Sequence, residues 1–224
     1  MIAFLKKYSA RLFRCRLYIL FLLIFNLIPS GCNSLQRGES TFDGSMFDGK
    51  NLGNWKVYDF YKHGNVYIQD GNLILEKGLY LTGVKWDGPL IRMNYEISLE
   101  AMRIDGQDFF CGLTFPVDAN NCSLILSGWG GGYSGLSSIN GFDASENETT
   151  RSDAFENNRW YKVVVRVTPG RIQAWVDSEL FVDVFTTGKR ISIRPDIEMS
   201  LPLGISTYST TGAVRNIYLR KLEE

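Results

Sequence analysis

Asp143, Glu146 and Glu148 stand close together in the polar stretch Trp129–Thr150, and carboxylates at that density could break a glycosidic bond. Glycoside hydrolysis usually uses two of them, about 5–5.5 Å apart for retention and about 6.5–9.5 Å apart for inversion. In an extended segment Glu146 and Glu148 point to the same side, so one would serve as acid or base. Asp143 is the third candidate catalytic group, and with Asn147 it would also position a sugar. Trp129 adds a flat apolar face for a sugar ring and an N–H donor. The glycines after it, Gly130, Gly131 and Gly132, let a ligand approach the backbone. The competing reading is a solvated acidic loop, with Trp129 plugging the end of the fold. The stretch is too polar and glycine-rich for a core strand, and long aperiodic loops in compact domains are functional or disordered.

A second polar set lies upstream. Glu96 and Glu100 share one face of an alternating segment, with Arg103 close behind. If that face is concave, they would meet the loop carboxylates across a groove; otherwise they are a solvated sheet face. The single histidine, His63, excludes a multi-histidine zinc centre. It lies in a turn without a nucleophile motif, so a solvated turn residue is the plain reading. The triple glycine is not a phosphate cradle, because no Lys-Ser/Thr follows it. The Asp- and Asn-rich turns are compatible with an oxygen-ligated calcium ion, although no EF-hand spacing is present; no other cofactor or metal is implied.

The residues that must position these groups begin after an address label. Lys6, Lys7, Arg11, Arg14 and Arg16 precede the apolar run Leu17–Ile28, which is short for a membrane span of roughly 20 residues. Pro29-Ser30-Gly31-Cys32 follows. This resembles a bacterial lipoprotein signal with Cys32 as the lipidated residue, although Pro29 stands where an aliphatic residue is usual; an ordinary secretory signal is the first alternative and an uncleaved membrane anchor the second. The expected division is a signal peptide over 1–31, a polar tether over 32–45 and one domain over 46–224. The domain would then be exported to the bacterial cell envelope or periplasm and held at the membrane through its lipid. Removing residues 1–31 takes five of the 24 Lys and Arg and none of the 24 Asp and Glu, leaving a net charge of about −5. A mildly acidic domain is a poor nucleic-acid partner.

From Trp55 onward the pattern is β. Tyr95, Ile97, Leu99 and Ala101 alternate with Glu96, Ser98 and Glu100, and Tyr161, Val163, Val165 and Val167 alternate with Lys162, Val164 and Arg166. Asp70-Gly71, Pro169-Gly170 and Asp177-Ser178 punctuate the strands. Many short strands and no helical period imply an all-β sandwich or barrel, and alternation this regular points to a core between two antiparallel sheets. Trp55, Trp160 and Trp175 sit inside strand patterns and are expected in the core. Phe109–Val117 and Cys122–Ser127 read as a hairpin turning over Asp118–Asn121, with Cys122 opposite Val117. That separation puts Cys111 beyond disulfide reach.

Several of these pieces, in this order, resemble the 3-keto-disaccharide hydrolase domain family. They are Phe47-Asp-Gly-Lys-Asn-Leu-Gly-Asn-Trp55, Asp70-Gly-Asn-Leu-Ile-Leu75, Asn158-Arg-Trp-Tyr-Lys-Val163, Arg171-Ile-Gln-Ala-Trp-Val-Asp177 and Gly204-Ile205 with Val214–Leu219. The resemblance spans nearly all of residues 46–222. It implies a concanavalin-like jelly roll acting on oxidised disaccharides or related glycosides. Two departures stand out: Phe110-Cys111-Gly112 replaces the family's Asn-Ser-Gly motif, and the Trp129–Thr150 stretch replaces the polar strand that follows it. The E-x-D-x-x-E strand of laminarinase-like jelly rolls is absent. No catalytic residue is therefore carried over.

The leading expectation is an exported carbohydrate-active domain that cleaves a glycosidic bond by hydrolysis or elimination. Its acid and base groups would be Glu146, Glu148 and Asp143; its ligand contacts would be Trp129, Asn147, Glu96, Glu100 and Arg103. The alternative is a non-catalytic, lectin-like binding module, and a third reading is a structural envelope module.

Overall fold

The computed structural model describes residues 43–223. The signal peptide, Cys32 and most of the tether expected from the sequence lie outside the described residues. Strand β1 (Gly44–Ser45) already pairs with the last strand, so the sheet begins inside the segment expected to be tether.

Thirteen further strands follow: β2 (Trp55–Val57), β3 (Val66–Gln69), β4 (Asn72–Leu75), β5 (Leu81–Trp86), β6 (Tyr95–Asp105), β7 (Cys111–Val117), β8 (Asn120–Gly128), β9 (Tyr133–Ser137), β10 (Trp160–Thr168), β11 (Arg171–Val176), β12 (Glu179–Phe185), β13 (Gly204–Tyr208) and β14 (Thr211–Lys221). They form two antiparallel sheets. The eight-stranded sheet runs β12-β11-β10-β6-β14-β4-β3, with β1 also against β14; the six-stranded sheet runs β2-β5-β13-β7-β8-β9. The only helical segment among the described residues is a 3-10 turn, Pro195–Ser200. The expected two-sheet sandwich is what forms.

The period-two pattern explains the main core. Tyr95, Ile97, Leu99 and Ala101 of β6 and Tyr161, Val163, Val165 and Val167 of β10 are buried, facing Leu113 and Phe115 of β7 and Leu124 and Leu126 of β8. Each fully buried aliphatic or aromatic side chain contributes about 1.5–3 kcal/mol.

Parity also corrects the tryptophan reading. Trp55 is buried in the core. Tyr161 and Ala174 take the inward positions of their strands, so Trp160 and Trp175 are on the outward face and half-buried.

The β7–β8 hairpin differs from its expected register. Val117 pairs with Asn120 around a two-residue loop, so Cys122 faces Phe115 and Cys111 faces Leu126. Asp118 takes a left-handed φ of 55°, a conformation that Asp tolerates in tight turns. The two thiols are free and buried, four positions apart along the hairpin. Burial pushes both up to about 12.

The six-stranded sheet carries a second, smaller core on its outer face. The connection from β12 to β13, residues 186–203, crosses that face as a strap. Ile197 packs with Tyr58, Phe60 and Leu81, against Phe109, Ile193 and Tyr208. Ser200 donates to Thr114 Oγ1 at 2.9 Å, and Thr114 is 2.9 Å from Ser123. Glycine is required beneath the strap: a Cβ on Gly204 would lie 2.0 Å from the Tyr58 hydroxyl.

Candidate functional site

The outer face of the six-stranded sheet carries a cavity of ≈ 260 Å³ at the end nearest the β6–β7 turn. Its apolar lining is Leu81, Phe109, Ile125, Ile197 and Tyr208, and Asp108, Trp129, Arg194 and Asp196 complete it. Rings and charged groups thus line one concavity, a little smaller than the roughly 300 Å³ at which small-molecule pockets begin.

The backbone presents Trp129 to this opening. After β8, Trp129, Gly130 and Gly131 take successive left-handed φ values of 55°, 71° and 92°. For a tryptophan that conformation costs on the order of 1–3 kcal/mol. The turn is held by Gly131 N–H donating to Gly128 O at 3.1 Å and Gly130 N–H donating to Asp108 Oδ2 at 2.8 Å. Asp108 Oδ1 also accepts from Phe109 N–H at 2.8 Å. One carboxylate thus ties the β6–β7 turn to the Trp129 turn, and the ring, 39% exposed, is placed before any ligand arrives.

The Trp129–Thr150 stretch is not one aperiodic loop. It contains β9, whose Leu136 is fully buried, paired with β8 from Ser123↔Ser137 to Gly128↔Tyr133 across a bulge. Beyond β9 the chain pairs with the strap: Ser138 N–H donates to Ser192 O at 2.7 Å, and Asn140 N–H to Arg190 O at 2.8 Å.

This pairing redirects the candidate carboxylates. Asp143 accepts from the Ser137 and Ser138 hydroxyls at 3.1 and 3.0 Å and from the Arg194 guanidinium. It therefore stands behind Arg194 rather than in the cavity. Glu148 pairs with Lys189 of the strap. Glu146 is exposed and enters the local structure through its backbone N–H, bonded to Asp143 O at 2.9 Å.

Asn147 holds the loop together. Its Nδ2 donates to the carbonyls of Leu136, Phe142 and Asp143 at 2.7–3.1 Å, and its Oδ1 accepts from Thr149 N–H and Oγ1. An amide with both ends committed has no donor left to position a sugar.

Glu96 and Glu100 lie on the outward face of the eight-stranded sheet, across the sandwich from Trp129. Glu96 pairs with Arg166 and Arg220, and Glu100 with Arg215. Burial pushes the Glu100 carboxyl up, but hydrogen bonds from Arg215 and Asn216 prevail and hold it below the ordinary value.

Arg103 takes an inward position and is buried. It donates to Asn157 Oδ1 at 2.6 Å, Ser127 Oγ at 3.0 Å and Phe155 O, with Phe110 beneath it; desolvation lowers its pKa. It pins the residue 151–158 loop to the end of the sandwich.

The groove expected to gather Trp129, Glu146 and Glu148 with Glu96, Glu100 and Arg103 therefore does not form. Only Trp129 lines the cavity, and Asp143 reaches it through Arg194. Among the described residues no three His, Cys, Asp or Glu side chains are grouped to hold a metal ion, so the calcium expectation finds no carboxylate cluster.

Sequence reasoning missed Asp108, Arg194, Asp196 and Tyr208. A signal for the strap existed: the connector from Thr186 to Leu203 is long and aperiodic, and such connectors are commonly functional.

Residues 43–220 match the profile of the family described as the 3-keto-alpha-glucoside-1,2-lyase-like domain, and the chain belongs to that family. No curated protein sequence matches it. Among solved structures, the chain is similar in fold to carbohydrate-binding module CBM66 of Bacillus subtilis. That match has 12% identity and a TM-score of 0.54, covering 75% of this chain and 96% of that one. It is likewise similar to a β-glucanase of Bacillus licheniformis, with 12% identity, a TM-score of 0.54, and coverage of 82% and 100%. The Crh5 transglycosylase in complex with NAG gives 9% identity, a TM-score of 0.57, and coverage of 83% and 86%. At such identities these likenesses establish the concanavalin-like fold and nothing finer.

Proposed function

We propose that this domain binds a carbohydrate in the cavity beside Trp129. The observation that carries the reading is the Trp129 ring, held by a tied left-handed turn at the mouth of a cavity that also offers Tyr208, Arg194, Asp196 and Asp108. The ring faces provide stacking surfaces for a pyranose, and the charged groups provide donors and acceptors for its hydroxyls. Membership in a family described by a glycoside-cleaving activity supports a sugar as the ligand. Glycan-array screening followed by calorimetry tests it. Binding that Trp129→Ala weakens at least tenfold (about 1.4 kcal/mol) is the expected result; no binding to any glycan overturns it.

A second reading, cleavage, rests on the family description and on the two cavity carboxylates. In a 3-keto-glucoside the C2 proton is acidified by the adjacent C3 ketone. A base removes it, the C1–C2 double bond forms, and the C1–O bond breaks as the departing oxygen takes a proton. Asp196 and Asp108 supply the base and acid in this reading, in place of Glu146, Glu148 and Asp143. Against it, the outward positions Gly112, Thr114, Ser123, Ile125 and Ser206 on the six-stranded sheet carry neither carboxylate nor imidazole. Incubation with 3-keto-trehalose, monitored by the absorbance of the enone product, decides between the readings. Product formed by the native protein and lost in Asp196→Asn supports cleavage; binding without product leaves a binding module.

The leader supports a proposed location at the bacterial envelope, with the domain exported and anchored through a lipid on Cys32. Palmitate labelling that disappears in Cys32→Ser is the expected outcome.

A further inference from the structure

The cavity does not end at Asp108. On its other side lies an open polar groove of ≈ 500 Å³, lined by Lys77, Asp105, Gln107, Asn157 and Ser209 with Gly106 and Gly130. Three features make the two concavities neighbours. Asp108 lines both; Trp129 lines the first and Gly130 the second; Tyr208 lines the first and Ser209 the second. The saddle between them is the Asp108–Gly130 hydrogen bond, at 2.8 Å. Gly130 keeps that saddle low, since a Cβ there would meet nothing within 4 Å and the space above it is open.

The linings differ in a way that suits one extended ligand. The cavity presents aromatic faces, Trp129, Phe109 and Tyr208, whereas the groove presents donors and acceptors on exposed or half-exposed side chains. Asn157 commits its Oδ1 to Arg103 and bonds nothing through Nδ2 among the described residues. Lys77 and Asp105 are paired loosely, at 3.8 Å, and both are largely exposed, so hydroxyls can replace that contact at little cost.

We infer that the site takes a linear oligosaccharide rather than a single sugar or a disaccharide. One unit stacks in the Trp129 cavity, the chain crosses the Asp108–Gly130 saddle, and the following units hydrogen-bond in the groove at the end of the sandwich. This rests on the carbohydrate reading above and extends it from a pocket to a path.

The experiment is calorimetric titration of the full chain with gluco-, manno- and N-acetylglucosamine oligosaccharides of one to six units. Affinity should rise at least tenfold from the monosaccharide to the trimer or tetramer of the preferred series, then level off. Gln107→Ala and Lys77→Ala, both on the groove and both exposed, should weaken the longer oligosaccharides several-fold and leave the monosaccharide unchanged. Trp129→Ala should weaken every length. Affinity independent of chain length, or groove variants that change nothing, overturns the extended path while the pocket reading stands. Binding by no length in any series overturns the pocket reading and this inference with it.

Discussion

On the outer face of the eight-stranded sheet, the Arg166 guanidinium lies 4.9 Å from the centre of the Trp175 ring and that of Arg215 lies 4.0 Å from Trp160. The same arginines reach Glu96 and Glu100. At the end of the six-stranded sheet, Trp129 is turned toward a cavity, and its neighbouring carboxylate, Asp108, is bonded to backbone N–H groups. Both regions pair tryptophan with carboxylate and arginine. In the first, the cations cover the rings and neutralise the acids, leaving a closed lattice with little to offer a ligand. In the second, backbone geometry opens one ring to solvent and leaves a concavity beside it. Residue type therefore does not distinguish a site from a surface here, and neither does ion pairing, since Arg194 also pairs with Asp143 and Asp196; an uncovered ring beside a concavity does.

The comparison can be broken first at Arg103, which shares β6 with Glu96 and Glu100 but points inward. Arg103→Ala should cost about 3 kcal/mol in urea unfolding, because it removes a buried group and orphans its acceptors. A loss under about 1 kcal/mol would return Arg103 to the surface class. Next in size is the contrast between tryptophans. Trp129→Ala should lower sugar affinity at least tenfold with little change in Tm, since the ring is exposed rather than part of the core, while Trp175→Ala should leave affinity untouched. Equal losses would erase the distinction between the two faces.

Asp143→Asn sharpens the boundary of the site. Leaving Arg194 with Asp196 as its remaining carboxylate partner should speed hydrogen exchange across residues 189–194 and lower sugar affinity by a few-fold, about 1 kcal/mol. The smallest effects belong to the closed lattice. Glu100→Gln should cost under about 1 kcal/mol at neutral pH, as half-exposed ion pairs do. Its sign with pH follows from the lowered Glu100 carboxyl. A depressed carboxylate contributes stability above its unfolded pKa, about 4.3, and loses it as pH falls through the lower folded value. The native protein and Glu100→Gln should therefore converge in stability in acid, with sugar binding at neutral pH unaffected by the substitution.

Much of the fold was legible because it is written in local periods. Ile97, Leu99 and Ala101 against Glu96, Ser98 and Glu100 declare a two-faced strand whatever lies around them. The outward placing of Trp160 and Trp175 is written in parity rather than in hydrophobicity, since each follows or precedes an inward residue by one position. β9 was harder: Ser134, Gly135 and Ser137 look like loop residues, and they take strand geometry because β8 pairs one edge while Thr149 and Arg151 bond Leu136 and Ser134 on the other. The site was legible only at Trp129. Asp143 and Glu148 could be read only as carboxylates in a polar stretch, because their partners Arg194 and Lys189 come from a segment about fifty and forty residues away.

By itself, then, the amino-acid order determined the alternation, the turns, the two-sheet architecture and the candidate aromatic at Trp129. These depend on backbone sterics and on the burial of one face of each strand, both local properties. The tertiary structure alone decided which side of the sandwich is closed by ion pairs, that the Thr186–Leu203 connector covers the other, and that Asp108, Trp129, Arg194 and Asp196 meet around one opening. Hydrogen-bond and ion-pair partners are chosen by proximity in space, so which side chains are left facing a concavity depends on neighbours that only folding brings close.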